Sequence, residues 1–209
     1  MRLTERDILL FKWINGHGFV TADQINRFLS VAKTTGYRRI KKLVDHGYIK
    51  REKILHSAGA AHFITKQAKD ACGDNLEILK KISLGGYIHD LALVDLSLDL
   101  EKNYQANFIS ERRLRLWGGI GGVGVEGHMP DGILELSNGK KWAIELELSV
   151  KAASRLDKIM RFYNCNFDYN EVHYFMSDQV VKNAVQKSIE SSGACHVKTH
   201  MMPKKTLEK

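Results

Sequence analysis

The side chains with the clearest capacity for chemistry are Asp131, Glu145 and Glu147, carried by the segments MPDGILEL and KWAIELEL. Both segments read as strands, and Asn138 followed by Gly139 between them is the kind of pair that closes a hairpin. Residues two apart on a strand project from one face, so Glu145 and Glu147 point together, and hairpin pairing draws Asp131 towards them. Three carboxylates at one sheet edge repel each other; they either titrate upward or take a hard cation with oxygen ligands, Mg2+ or Mn2+. Asp131 and Glu145 are the expected metal ligands, with Glu147 either a third ligand or the base that takes a proton from an attacking water. Such a metal acts as a Lewis acid and lowers the pKa of the water bound to it. Downstream, VKAASRLDKIMRFY reads as a helix with Lys151, Arg155 and Lys158 on one face. Lys151 or Lys158 would then offset negative charge that builds beside the metal during a reaction.

The elements around these residues read as an α/β layered domain over residues 75–209. Residues 75–101 are helical in period, broken at Gly85 and Gly86, with Leu91, Val94 and Leu98 facing a core. Strand-like pieces follow at ANFISERRLRL, DGILEL, KWAIELEL and EVHYFM, with the basic helix between the last two.

Residues 1–74 read as a separate domain. Thr4 with Asp7, and Thr21 with Gln24, are capping-box pairs that start two short helices. A third helix over residues 32–45, stopped by Gly47, turns Tyr37, Ile40, Leu43 and Val44 inward. YIKREKI and HFITKQAKDA, separated by a turn at Gly59, read as two strands. Three helices and a two-stranded wing are the order of a winged helix-turn-helix, so the fold class expected is α+β, with this module ahead of the α/β domain.

The charge is unevenly divided. The chain carries a net +8, yet residues 1–80 hold 15 Lys/Arg against 8 Asp/Glu while residues 81–209 hold 17 against 16. A localised positive field suits a phosphate-binding surface, because each cation near a phosphate releases condensed counterions. Lys33, Thr34, Thr35, Arg38, Arg39 and Lys42 lie off the apolar stripe of the third helix, and Lys50, Arg51 and Lys53 decorate the wing. They are the residues expected to bind double-stranded DNA, the N-terminal Lys and Thr at base edges and the arginines at phosphates. A solvated face or a protein-docking module is the alternative for the same charges.

The spacing from Pro130–Asp131 to the Glu145-Leu146-Glu147 triplet resembles the PD-(D/E)xK nuclease motif, with Asp131 as first acid, Glu145 as second, and Glu147 where that motif has lysine. Over nearly the whole chain, HDLALVDLSLDLE, the strand with Glu111, MPDGIL and AIELELSVKAASRLDKIMRFY resemble the replication-relaxation family and the MOBC class of plasmid mobilisation relaxases. The resemblance implies a winged helix joined to a restriction-endonuclease-like domain, a place in the site for His89 and Glu111, and metal-dependent nicking of plasmid DNA at a transfer origin. It also implies a mobilisation accessory or coupling protein as a further partner. The rival reading is a non-catalytic replication initiator or transcription regulator whose nuclease-like domain is degenerate.

Other features carry less. Gly119, Gly121 and Gly124 match a dinucleotide fingerprint but lead into a turn rather than a helix. His196 and His200 lie in a segment that reads as a strand, too far apart there to share a zinc. No His-x-His occurs, so the paired-histidine site of tyrosine relaxases is missing and Tyr163 reads as packing. Cys72, Cys165 and Cys195 read as three buried free thiols. With no apolar run of ~18 residues and an early-charged N-terminus, the chain reads as cytoplasmic.

Overall fold

The computed structural model describes residues 1–55, 59–117 and 128–202. Among them the protein is mixed α+β, with eight helices and two sheets. It divides into two compact units, Met1–Leu98 and Asp99–Lys209, a boundary later than residue 74 because Val94 and Leu98 pack on the N-terminal core.

In the first unit, α1 (Glu5–His17), β1 (Val20–Thr21), α2 (Ala22–Leu29) and α3 (Lys33–Asp45) lead to β2 (Ile49–Glu52), β3 (Ala61–Ile64) and α4 (Lys66–Cys72). Both capping boxes form: Thr4 and Asp7 at α1, Thr21 and Gln24 at α2. The three strands pair antiparallel in the order β1-β3-β2. Leu10, Phe11, Ile14, Ile25, Ile40 and Leu43 make the core. Helices α2 and α3 approach so closely at Gly36 that a Cβ there would lie 1.7 Å from the Asn26 side-chain oxygen. Tyr37, expected inside, is 48 % exposed, because Gly36 and Ile40 already face the core on that side of α3. β3 is shorter than the strand HFITKQAKDA that the sequence suggests: Thr65 caps α4, so KQAKDAC is a helix.

Residues 75–86 are not helical. They are tied down by side chains instead, with Asn15 donating to Asp74 and to the Leu76 carbonyl. Helix α5 (Tyr87–Tyr104) begins only after the two glycines.

The second unit is built on a five-stranded sheet in the order β4-β5-β6-β7-β8: β4 (Asn107–Ser110), β5 (Gly132–Glu135), β6 (Lys141–Glu147), β7 (Glu171–Met176) and β8 (Val197–Met201). The first three strands run antiparallel and the last three parallel. Parallel strands need crossovers, which here are α7 (Ala153–Cys165) and α8 (Gln179–Ser192). Both helices pack on one sheet face, where Leu156, Met160, Tyr163, Val181 and Val185 meet Ala143, Val172, Tyr174 and Met176. Gly139, at φ 80°, closes the β5–β6 hairpin as its residue pair foretells. ERRLRLW is not strand but α6 (Glu111–Trp117), which starts where β4 loses its pairing to β5 beyond Gly132. Lys151 precedes α7 and therefore does not share a helical face with Arg155 and Lys158. Of the three free cysteines only Cys72 is buried. The glycine fingerprint at residues 119–124 lies outside the described residues.

Candidate functional site

The acidic residues gather where β5 meets β6. Ile144 pairs with Gly132, so Asp131 sits beside the last residues of β6, and its Oδ2 accepts from the Leu146 backbone N–H at 2.8 Å. Glu145 and Glu147 project from β6 onto the face covered by α7, the face shared by Ala143 and by Tyr174, which is Glu145's partner across the β6–β7 ladder. They are 1 % and 3 % exposed, which sets them apart from an ordinary solvated row of acids.

A buried carboxylate persists only with partners. Glu145 has two on one oxygen: Oε1 accepts from the Tyr163 hydroxyl and lies 2.5 Å from His128 Nε2. Glu147 pairs with Lys151 four residues on. Burial pushes the Glu145 carboxyl above its usual range; the His128 and Tyr163 hydrogen bonds oppose this, and the charge of Asp131 adds to it. Tyr163 is driven far up by burial and by Glu145, so its phenol is a neutral hydrogen-bond donor rather than a ready nucleophile. The Tyr174 hydroxyl, fully buried, is also raised, first by burial and then by Glu145, Glu147 and Asp131 in turn. That hydroxyl has no hydrogen-bond partner among the described residues.

The other residues read from the sequence fall as follows. Glu111 opens α6; its backbone N–H donates to the Asp131 carbonyl at 3.0 Å, while its carboxylate pairs with Arg115. Lys158 is exposed on α7. His89 belongs to the first unit, on α5, with Nδ1 3.4 Å from Asp90. The sequence does not single out His128, which the fold brings to Glu145. Tyr163 packs in the core, as its sequence context suggests, but its hydroxyl belongs to the acidic cluster.

As a donor set, Asp131 beside the buried Glu145 and Glu147 offers the carboxylate oxygens that a hard divalent cation takes. As they stand, no three His, Cys, Asp or Glu side chains among the described residues are arranged around a single ion position. One oxygen of each acid already has a protein donor: Leu146 on Asp131, His128 and Tyr163 on Glu145, Lys151 on Glu147.

The first unit presents a different surface. Thr34, Thr35, Arg38 and Lys42 on α3, Lys50 and Arg51 on β2, and Lys53 just beyond are all exposed. Lys33 is also exposed, 3.5 Å from Asp23. Arg39 differs from the rest: its guanidinium bonds both oxygens of buried Asp7 at the first turn of α1, which ties α3 to α1. Beside β2 a cleft of about 310 Å3 is lined by Lys53, Lys80 and Lys81 together with Phe63 and Leu79, adding two cations that the sequence reading did not select.

No helix among the described residues is long and apolar enough to cross a membrane. The chain matches no known protein family, curated protein or solved structure.

Proposed function

We propose that this protein is a DNA-binding, metal-dependent endonuclease that nicks DNA, with a winged helix in the first unit gripping the duplex and a PD-(D/E)xK-like centre in the second. The observation that carries the catalytic half is that Asp131, held by the Leu146 backbone N–H, lies beside the strand that buries Glu145 and Glu147 on one face, an acidic density that a solvated sheet edge does not need. The binding half rests on exposed Arg38 and Lys42 on α3, Lys50 and Arg51 on β2, and Lys53 just beyond it, the helix and strand that a winged helix presents to a duplex.

In this reading Asp131, Glu145 and Glu147 hold Mg2+ or Mn2+, which when bound polarises the scissile phosphate and lowers the pKa of the attacking water. Leu146 fixes the Asp131 carboxylate through its backbone N–H, and Lys151, reaching Glu147, supplies the cation that the motif ordinarily carries at that position. On phosphate binding Lys151 offsets the negative charge that builds in the transition state. Tyr163 stays a neutral donor to Glu145, consistent with direct attack by water. The resemblance to replication-relaxation proteins and MOBC relaxases extends the proposal to a plasmid transfer origin as substrate, with a mobilisation accessory or coupling protein as partner, in the cytoplasm.

A second reading is favoured by one observation: each acid already has an internal donor, so the cluster could be a structural network in a non-catalytic initiator or regulator. Incubating the protein with supercoiled plasmid and Mn2+, with and without chelator, separates the two. Chelator-sensitive conversion to the open circular form supports the nuclease; duplex binding with no conversion supports the regulator.

A further inference from the structure

Two donors from separate parts of the second unit converge on a single oxygen of Glu145. His128 arrives from the segment just ahead of β5, and Tyr163 from the third turn of α7. The two donors also brace each other. Their rings meet edge-on at 5.7 Å, Phe162 flanks His128 at 6.1 Å, and Tyr169 flanks Tyr163 at 6.1 Å. Tyr163 is 1 % exposed within the core formed by Leu156, Met160 and Val172, so its hydroxyl has little freedom to move. The carboxylate is thus restrained through Oε1 by two side chains from separate elements.

We infer that His128 and Tyr163 are positioning residues that hold Glu145 for a divalent cation, an inference that rests on the metal-nuclease reading above. Carboxylate ligands work when their own hydrogen bonds fix them, and loss of such an outer partner typically costs about 10–100-fold in metal affinity or activity.

The test is Mn2+ titration of the full chain without DNA, following free Mn2+ by electron paramagnetic resonance, alongside plasmid nicking. Tyr163→Phe keeps the buried ring and removes only the hydroxyl; His128→Ala removes a partly exposed donor. Each is expected to weaken Mn2+ binding by about tenfold, with duplex affinity close to wild type. His128→Gln, which keeps an N–H near the Nε2 position, is expected to recover most of the loss, a rescue that general loss of packing would not give. If Tyr163→Phe and His128→Ala bind Mn2+ as tightly as wild type and nick at its rate, the positioning role is wrong while the metal reading survives. If the wild-type protein itself binds no Mn2+, both are overturned.

Discussion

The two units place their charges in opposite ways. In Met1–Leu98 most of the cations of α3 and β2 stand in solvent, whereas in Asp99–Lys209 two of the key acids are almost wholly buried and bonded. Exposed charge is inexpensive to hold and acts at a distance as a field, which suits attraction of a polyanion. Buried charge is costly to hold and acts only at close range, which suits a fixed geometry around a small ion or a reacting group. Arg39 shows that the division does not follow residue type: it is a cation of α3 that serves the packing of its own unit through Asp7.

The comparison breaks most sharply at the acids. Asp131→Ala and Glu145→Ala are expected to reduce Mn2+-dependent nicking to background while leaving duplex affinity nearly unchanged, as read by agarose gels and fluorescence anisotropy on the same preparations. Loss of DNA binding in both variants would mean that the acidic cluster supports the first unit's task and is no separate site.

Next in size is Arg39→Ala, which leaves the Asp7 carboxylate buried without its ion partner. Destabilisation of about 2–3 kcal/mol is expected by urea unfolding, below the cost at a fully buried pair because the Arg39 side chain stays 26 % exposed. The pair also has a pH signature. Burial would raise the Asp7 pKa, but hydrogen bonds from Arg39 and Thr4 outweigh it and hold the carboxyl below its ordinary value. Because the folded pKa is the lower one, the stabilisation is complete above the ordinary carboxylate range and is lost as pH falls through the depressed value. Arg39→Ala should flatten the acid limb of the stability profile; an unchanged limb would show that Asp7 is not the group responsible.

Gly36→Ala puts a methyl group 1.7 Å from the Asn26 oxygen and forces α2 and α3 apart, for an expected loss of about 1–3 kcal/mol in the same assay. A neutral result would mean that Asn26 swings aside at no cost.

The smallest effect expected is on salt dependence. Replacing Arg38, Lys42 and Lys53 by alanine together should lower the slope of log affinity against log salt by about 0.9 for each phosphate that is no longer neutralised, uniformly across sequences. Arg39 is left out of this set because it is committed to Asp7. An unchanged slope would locate DNA binding away from α3 and the residues that follow β2.

The sequence by itself determined the features whose causes are local. Caps at Thr4 and Thr21 satisfy amides within one turn, Gly139 meets the left-handed demand of one hairpin, and alternation on one strand puts Glu145 and Glu147 on one face. Charge division between the two parts was likewise countable. What depends on residues far apart in the chain was decided only by tertiary structure. Residues 75–86 carry a helical pattern, yet Asn15, some sixty residues earlier, holds their start in an irregular path. Helix α8 carried its own signals in the Asp178 cap and in Val181 and Val185, but the parallel pairing of β7 with β8 is what requires a crossover there. His128 and Tyr163 are 17 and 18 residues from Glu145, on different elements, and no spacing rule links them to it. They meet because a carboxylate driven into a core by sheet packing must find donors wherever the fold brings them, and only the folded chain fixes which side chains those are.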